Sequence, residues 1–587
     1  MTKRRLIGWV AVALLAASIA LLPPFPVDIL TSIGLAALVV VGLVLLTGVG
    51  GVTSFGQAAF VGMGAYASAW LTVRYGWSPW SGLVASLCIT TVAAVVLGLI
   101  TFRLSGHYLA LGTIAWSLGL YYLASDSDAL GGHTGLSGVP KLPLKVLYAD
   151  GARLYSVLVW LLVLAACVAI ARILDSRKGR AIRALKGASL MAEAFGVDTY
   201  RLRIQIFLFA AIVAALSGWL YAHFIGFVNP TPFGIYPSME YLFMAVIGGP
   251  SHVWGAIAGS SIIILLRHML QDYMPAVLDR VGKFDIIVLG IILMLVMQRA
   301  RNGVAARVDR WFGPSPIIAV PSVVALPLAR KAPSSDGPIL ELSKVTRRFG
   351  GLVAVSELSF SMRVGDILGL IGPNGAGKST TFNLVTNVLG VSSGMISFQG
   401  RPIGGLGMRR IAELGIARTF QHVQLVSSMS VLENVALGAY RHGHAGLWRA
   451  MLRLDRQEEA RMLAVAAQQI RRVGLEGRIN DSAGSLSLGE QRLVEVARAL
   501  VTEPTLLLLD EPAAGLRLQE KQALARLLKS LKAEGLSVLL VEHDMEFVMS
   551  LVDRLVVMNF GRKLAEGEPP EVRGNRDVIE AYLGEAA

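Results

Sequence analysis

Long apolar runs dominate the chain up to about residue 300 and decide what that part can fold into. A bilayer core about 30 Å thick is crossed by about 20 helical residues. Runs of that kind begin at Leu6, Ile29, Ser81, Leu154, Leu202 and Val253, and a shorter one lies near Ile286. Two less uniform segments, around 53–73 and 107–124, suggest short, tilted or broken helices. The pattern predicts an α-helical polytopic membrane domain with about eight to ten crossings.

The charge content supports this prediction. Only 16% of the 587 residues are charged, against about 25% in soluble domains. The net charge of +14 fits basic loops that face anionic membrane lipid, so we expect no nucleic acid partner. Cys88 and Cys167 each lie in an apolar run, which predicts two buried thiols and neither a disulfide framework nor a metal cluster.

Basic residues also predict the orientation of the chain. They cluster before the first run, in a loop at about 176–203, and again from Arg299 to Arg310. The positive-inside rule places all three clusters in the cytoplasm, which requires an even number of crossings. The first run, Leu6 to Leu22, is either a retained span or a cleaved signal, because Ser18-Ile19-Ala20 is a small-x-small triplet.

A change of composition divides the chain. Residues 312–337 are rich in proline, which favours an extended, semi-rigid linker. The alternative is a last packed element of the membrane domain, because "IIAVPSVVAL" is apolar. We therefore predict a membrane domain at 1–311, a linker at 312–337 and an α/β domain at 338–587.

The α/β domain begins with a phosphate-binding pattern. In "ILGLIGPNGAGKSTTFNLV" an apolar strand leads through a glycine-rich turn into a helix, and the turn fits G-x-x-x-x-G-K-[ST]. Glycines let backbone N–H groups approach phosphate oxygens, the lysine adds a positive charge, and the serine is a magnesium ligand. The predicted nucleotide-binding residues are Gly372, Asn374, Gly375, Gly377, Lys378, Ser379 and Thr380.

Two buried strands predict the catalytic edge. "TLLLLDEP" is typical of a strand covered on both faces of a parallel sheet, and it ends in Asp510 and Glu511. Asp510 would hold magnesium, and Glu511 would accept the proton of an attacking water. "LSVLLVEHD" brings His543 to the same edge. Without a phosphate loop, such acids would more often belong to a solvated turn.

The phosphate loop, Gln421, "LSLGEQ", "LLLLDEP" and His543, in that order, resemble the P-loop nucleotide-binding domain of ABC transporters. The resemblance implies ATP and Mg²⁺ as ligands, with Phe349 stacked on adenine and Gln421 sensing the γ-phosphate and magnesium. His543 would contact the γ-phosphate. Residues 513–516 ("AAGL") would cross to a second ATPase domain.

"LSLGEQ" departs from the usual "LSGGQ" of that family. Leu488 stands for a glycine and Glu490 for a glutamine, and the crossing loop lacks the common aspartate. Ser487 and Gly489 are retained. The resemblance implies that Ser487, Gly489 and Glu490 close over nucleotide held by a partner domain.

Further phrases resemble one importer family. "GVTSFGQAAFVGMGAYASAWL" and "LYAHFIGFVNPTPF" look like the permease of Liv-type branched-chain amino acid importers, and "RTFQHVQLVSSMSVLENVALGA" looks like an ATPase of that system. The resemblance implies ATP-driven import across a bacterial inner membrane, with the ATPase domain and the N-terminus in the cytoplasm. Urea, short amides and other small acids remain alternative substrates, and an exporter or an ATP-gated channel remains an alternative function.

The same resemblance implies partners. We expect a second permease and a second ATPase domain, in a heteromer or a homodimer, and a separate extracytoplasmic solute-binding protein. The loop at about 176–203 resembles the coupling helix of importers, and its alternative is an amphipathic surface helix. The glycine-rich run from Gly48 to Gly64 either lines the solute path as a broken helix or packs helices tightly through small residues.

Overall fold

The computed structural model describes residues 13–104, 106–144, 151–278, 284–299, 303–305, 307 and 337–583. The chain divides into two compact units. The helical unit comprises Met1–Asp175 and Tyr200–Pro316, and the sheet unit comprises Ser176–Thr199 and Ile317–Ala587. The predicted linker lies outside the described residues except for Gly337, and so do residues 6–12 of the first apolar run.

The helical unit contains two short strands and a series of long helices. The helices are α1 (Pro24–Leu43), α2 (Gln57–Tyr75), α3 (Pro79–Thr101), α4 (His107–Asp126), α5 (Gly151–Leu174), α8 (Thr199–Ile225), α9 (Ile235–Gly248), α10 (Gly255–Leu278) and α11 (Phe284–Arg299). The strands β1 (Leu136–Ser137) and β2 (Phe227–Val228) pair antiparallel.

Among the residues that the structure describes, four helical stretches are long and apolar enough to cross a membrane by length and composition. They are Pro24–Val49, Pro79–Thr101, Gly151–Leu174 and Thr199–Ile225. Each coincides with a predicted apolar run. The predicted runs from Val253 and near Ile286 form α10 and α11, and the total of eight to ten crossings stays a prediction.

The glycine-rich segment after α1 breaks the helix. A π-helical turn, Val44–Val49, follows α1, and residues 50–56 are not helical before α2 begins. Glycine also allows close packing here. A Cβ at Gly48 would lie 1.7 Å from the Pro250 carbonyl oxygen, and one at Gly64 would lie 2.2 Å from that of Ala215. The broken helix and the packing through small residues both occur in the one segment.

The prediction of two buried thiols was half right. Cys167 is buried in α5, as expected, whereas Cys88 is exposed on α3. Helix α3 buries only a narrow stripe of small residues, among them Ser86, Thr90 and Ala94. An apolar run predicts a buried side chain only where another helix covers it, and Cys88 lies off that stripe.

The sheet unit is built on two sheets. The strands are β3 (Leu340–Phe349), β4 (Leu352–Met362), β5 (Ile367–Ile371), β6 (Ser393–Phe398), β7 (Arg401–Pro402), β8 (Ile416–Arg418), β9 (Leu506–Asp510), β10 (Ser537–Val541), β11 (Arg554–Asn559) and β12 (Arg562–Gly567). One sheet has the order β12-β11-β5-β10-β9-β8, and the other has the order β4-β3-β6-β7.

The larger sheet sets the position of the candidate site. Strands β11, β5, β10, β9 and β8 are parallel, and β12 closes the edge antiparallel. Every residue of β5, β9 and β10 is buried, as their continuous apolar runs predict. Because the strands are parallel, the residues that follow β5, β8, β9 and β10 meet at one edge of the sheet.

Helices complete the sheet unit. They are α6 (Arg177–Leu185), α7 (Ser189–Ala194), α12 (Lys378–Val385), α13 (Met408–Leu414), α14 (Val431–Ala436), α15 (Leu447–Met451), α16 (Arg456–Arg472), α17 (Leu488–Leu500), α18 (Leu518–Ala533), α19 (Met545–Met549), α20 (Pro569–Gly574) and α21 (Arg576–Leu583). One hydrophobic core lies between the two sheets, and a smaller one joins α14, α16 and α17.

Candidate nucleotide-binding site

The phosphate loop connects β5 to α12, and its shape requires glycine. Gly372 and Gly377 have φ values of 150° and 99°. A Cβ at Gly372 would lie 2.1 Å from the Met558 carbonyl oxygen, and one at Gly377 would lie 2.6 Å from that of Ala354. Both positions therefore exclude any larger residue, and the backbone of the loop is held against its neighbours.

Lys378 is the first residue of α12, and its ammonium lies over the loop. Its Nζ donates to the carbonyl oxygens of Gly372 and Pro373 at 2.7 and 2.9 Å. Asn374, Gly375 and Ser379 are exposed beside it, and Thr380 is half-buried. A positive side chain, a helix N-terminus and accessible polar groups together make a surface suited to phosphate.

Three residues that are far apart in the chain meet at the end of the sheet. Glu511 follows β9, His543 follows β10, and Gln421 follows β8. The Glu511 carboxylate oxygen Oε1 lies 2.9 Å from His543 Nε2 and accepts a hydrogen bond from Gln421 Nε2 at 3.3 Å. The structure thus brings together all three predicted catalytic side chains.

The Glu511 backbone is fixed in an unusual conformation. Its φ is +49°, a region that residues other than glycine seldom adopt. Its N–H donates to the Val541 carbonyl oxygen at 2.9 Å, which ties the end of β9 to the end of β10. Backbone strain of this kind persists where the surrounding structure enforces it, often at functional sites.

Asp510 has the character of a metal ligand. It is buried, and its Oδ1 has no hydrogen-bond partner among the described residues. Burial raises the pKa of Asp510, although the nearby Arg418 acts to lower it. A carboxylate oxygen without a partner, together with the exposed hydroxyl of Ser379, fits the hard oxygen donors that Mg²⁺ prefers.

Phe349 lies at the end of β3 and remains accessible. Its side chain is 40% exposed. The Arg347 guanidinium lies 4.6 Å from the centroid of the ring, a cation–π distance. One face of the ring is therefore covered by a cation, and the ring remains partly open to solvent.

The capping of α17 explains why glutamate is tolerated at position 490. The Ser487 Oγ accepts a hydrogen bond from the Glu490 N–H at 3.3 Å, and Glu490 Oε2 accepts one from the Ser487 N–H at 2.9 Å. This capping box accepts either glutamate or glutamine at its fourth position. Arg478 Nε lies 3.4 Å from Glu490 and partly balances its charge.

The two loops predicted to reach a partner lie side by side. Leu488 is 51% exposed. A Cβ at Gly515 in the "AAGL" loop would lie 2.8 Å from Leu488 Cδ2. Gly489 is buried, and a Cβ there would lie 2.9 Å from the Glu520 carboxylate oxygens. Leu488 therefore packs on the second loop of its own chain, and the Glu520 carboxylate lies close to Gly489.

Sequence reasoning missed a buried charge network on α17. Arg492 and Arg498 lie 3.5 and 3.3 Å from opposite oxygens of Glu495. Glu495 also accepts a hydrogen bond from the Gln424 N–H at 2.9 Å, and Arg498 donates to the Gln424 carbonyl oxygen at 2.8 Å. Charges three residues apart in the apolar helix "RLVEVARAL" were the available signal.

The network holds the segment that carries Gln421. Arg492 donates to the carbonyl oxygen of Phe420 at 2.8 Å and also to that of Gln421. A second buried acid acts nearby: Glu542 accepts hydrogen bonds from the N–H groups of Ala513 and His543. Both acids position backbone next to the predicted catalytic side chains.

The segment 176–199 packs within the sheet unit, against residues far along the chain. Arg180 pairs with Glu459 and Arg183 with Glu433, each at 2.8 Å. Arg177 is buried and donates to the Ala445 carbonyl oxygen at 2.8 Å. These arginines recur every third residue of α6, so they lie along neighbouring turns of the helix.

The second half of the segment makes different contacts. Asp198 pairs with Arg409 at 2.9 Å. Phe195 is buried, and the Arg498 guanidinium lies 5.1 Å from the centroid of its ring. The segment therefore touches the same buried arginine that holds Gln424.

Comparison with protein families identifies three regions of the chain. Residues 25–297 match the family described as the branched-chain amino acid transport system permease component. Residues 355–514 match the ABC transporter family, and residues 562–587 match the branched-chain amino acid ATP-binding cassette transporter family.

Individual relatives match the sheet unit. The high-affinity branched-chain amino acid transport ATP-binding protein LivG of Salmonella typhimurium is 43% identical over 42% of this chain and 99% of its own length. The corresponding protein BraF of Pseudomonas aeruginosa is also 43% identical, with the same coverage. A solved nucleotide-free ATP-binding cassette from an ABC transporter is 32% identical, covers 42% of this chain and 99% of its own, and has a TM-score of 0.38.

Proposed function

Because the chain belongs to the ABC transporter family, with a permease component and an ATP-binding domain in one polypeptide, we propose that it drives the import of branched-chain amino acids with ATP. The observation that carries this proposal is the joint match of both halves of the chain to branched-chain amino acid transport. The contacts of Gln421, Glu511 and His543 support hydrolysis as the energy source.

We propose for the residues of the nucleotide site the roles that the family resemblance implies, and the geometry of the site supports them. The loop from Gly372 to Thr380 binds the phosphates of ATP, and Phe349 stacks on the adenine. Glu511 accepts a proton from the attacking water, while Gln421 and His543 hold that carboxylate in place and contact the γ-phosphate. Removal of a proton by a positioned base and stabilisation of spreading phosphate charge are what phosphoryl transfer requires.

Ser379, Gln421 and Asp510 would hold Mg²⁺. The unpartnered oxygen of the buried Asp510 supports this assignment. When bound, the ion neutralises charge on the phosphate oxygens. The remaining chemistry belongs to the chain, which orients the nucleotide and fixes the Glu511 carboxylate.

The segment 176–199 transmits nucleotide closure to the permease. Its charge pairs and its buried Arg177 and Phe195 support a stable attachment to the ATPase domain. Because the segment directly precedes α8 of the permease, movement of the ATPase domain is passed into that helix. This is the role expected of the coupling loop at about 176–203.

The proposed complex lies in a bacterial inner membrane with the ATPase domain in the cytoplasm. It contains a second ATPase domain, because Ser487 and Gly489 close over nucleotide held by a partner. It also contains a second permease. A separate extracytoplasmic binding protein delivers the solute. High-affinity uptake by the reconstituted membrane complex without any added binding protein would contradict this last point.

Uptake by proteoliposomes tests the function. The complex is reconstituted with ATP inside and supplied with labelled leucine, urea or glutamate, each with candidate binding proteins. We expect leucine to accumulate against its gradient and only when ATP is hydrolysed. Accumulation of urea or glutamate alone would change the substrate, and passive flux triggered by ATP binding would indicate a channel.

A further inference from the structure

An apolar cavity of about 100 Å³ lies within the helical unit. Its walls come from α2, from α4 and from the turn that precedes α9. Ala59, Met63 and Tyr66 lie on one face of α2, at the spacing of successive helical turns. All eleven lining residues are uncharged.

Glycine shapes one wall of the cavity. A Cβ at Gly62 would lie 2.8 Å from the Phe233 Cβ. The absence of a side chain there lets the turn Thr231–Phe233 close directly on α2. Across the cavity, α4 contributes Leu120 and Ala124, which are four residues apart and therefore share a face.

The surface of the cavity is mostly apolar. Tyr66 is 6% exposed, and its hydroxyl, which forms no hydrogen bond with any described residue, is closed to a water-sized molecule. The cavity therefore does not present that hydroxyl to a ligand. The part of a ligand that fits such walls is itself apolar.

The volume limits the size of the apolar portion. A dry apolar cavity of about 150 Å³ accommodates benzene. A cavity of about 100 Å³ therefore accommodates roughly four carbon atoms, the size of an isobutyl or sec-butyl group. A charged head would be desolvated inside such walls, so it must stay at the mouth.

We propose that this cavity binds the aliphatic side chain of the transported amino acid, while the charged head of the amino acid stays at the mouth. The proposal rests on the proposed import function and names the position in the permease at which the solute's side chain is selected. Apolar walls with few polar groups are the usual composition of small-molecule sites.

Two substitutions that change the cavity volume in opposite directions test the proposal. Ala59→Leu fills the cavity, and Met63→Ala enlarges it. Maximal uptake rates are measured with the full reconstituted complex and its binding protein at saturating labelled leucine, alanine and phenylalanine, so that differences in binding-protein affinity do not enter. We expect Ala59→Leu to lower the leucine rate at least tenfold and the alanine rate less than twofold, and Met63→Ala to raise the phenylalanine-to-leucine ratio at least fivefold.

A matched control separates the cavity from general damage to the helix. Ala67→Leu makes the same substitution on α2 at a position outside the cavity, and it should leave the leucine-to-alanine ratio unchanged.

The outcomes distinguish the cavity from the function. If the wild-type complex imports leucine but both cavity variants keep its selectivity, the cavity does not hold the solute. The cavity assignment also fails if those variants change only the dependence of thermal stability on lipid acyl-chain length, because a lipid then fills the space. If the wild-type complex imports no branched-chain amino acid, the proposed function itself fails and the cavity assignment fails with it.

Discussion

Replacing Glu511 by glutamine tests the centre of the proposed site with a minimal change of shape. The side chain keeps its length, and its amide can still form hydrogen bonds with His543 and Gln421, which lie 2.9 and 3.3 Å away. The backbone bond from residue 511 to the Val541 carbonyl oxygen is unaffected. The change therefore removes a proton acceptor and leaves the surrounding geometry in place.

The size of the effect follows from the role of a general base. Loss of a positioned base lowers a reaction rate by roughly 10²–10⁴-fold. At about 1.4 kcal/mol for each factor of ten, this is about 3 to 5 kcal/mol of activation free energy. Nucleotide affinity should change little, because Glu511 is not one of the loop residues that bind the phosphates.

Two assays on the purified chain with its partners separate binding from turnover. ATP hydrolysis is followed by phosphate release, and binding is followed with a fluorescent ATP analogue. Glu476→Gln, the same substitution at an exposed site, is the control and should leave both unchanged. Near-normal turnover of the Glu511→Gln variant would refute the assignment and make His543 the first candidate for the base.

Three further predictions concern the phosphate loop, segment 176–199 and the partner ATPase domain. Lys378→Ala should weaken ATP binding at least about tenfold, because a phosphate counter-charge is lost, and unchanged affinity in a binding assay would contradict the phosphate-loop assignment. Arg183→Glu and Glu433→Arg should each reduce ATP-driven uptake, and the double variant should restore it, because the two side chains form an ion pair at 2.8 Å. A double variant as impaired as the single variants would show that this pair does not hold segment 176–199 on the ATPase domain. Mixing a Lys378→Ala chain with a Ser487→Arg chain should restore hydrolysis if the working unit is a homodimer, whereas activity that returns only with an added partner ATPase indicates a heteromer.

The phosphate loop was predictable because its requirements are local. The glycines at 372 and 377 have the positive φ values that the short turn requires, and the strand before and the helix after are visible as an apolar run and a polar pattern. The buried strands β9 and β10 were predictable for the same reason. Their contact with each other was not, because it depends on the order of strands in the sheet.

The partners of α6 could not be predicted from the sequence. Arg180 and Arg183 were visible as basic residues, which predicts a cytoplasmic loop. Their acidic partners, Glu459 and Glu433, lie more than 200 residues away. Glu433 falls within the phrase "RTFQHVQLVSSMSVLENVALGA", but the phrase does not indicate with which residue it pairs. Ion pairing at that separation is decided by the packing of α14 and α16 around the segment.

The departures at "LSLGEQ" have a local explanation that the motif alone does not offer. Glu490 looks unfavourable next to a phosphate, yet its carboxylate is engaged with the Ser487 N–H and with Arg478. A capping residue at this position needs an acceptor, and glutamate supplies one as well as glutamine does. The family motif gives the usual residue at position 490, whereas the hydrogen bonds show that a side-chain acceptor is what the position requires.

Helix α17 connects three parts of the molecule through a single rigid element. Its N-cap residue is Ser487, which would face nucleotide on a partner domain. Its middle carries Arg492, which donates to the Phe420 and Gln421 carbonyl oxygens. Its last turn carries Arg498, whose guanidinium lies over the ring of Phe195 in segment 176–199. If closure on a partner's nucleotide shifts α17, the shift must move the backbone of Phe420 and Gln421 with it or break their buried hydrogen bonds to Arg492. Breaking such bonds costs several kcal/mol, so the concerted movement is favoured. Because Arg498 on the same helix contacts Phe195, the position of segment 176–199 is coupled to that of Gln421.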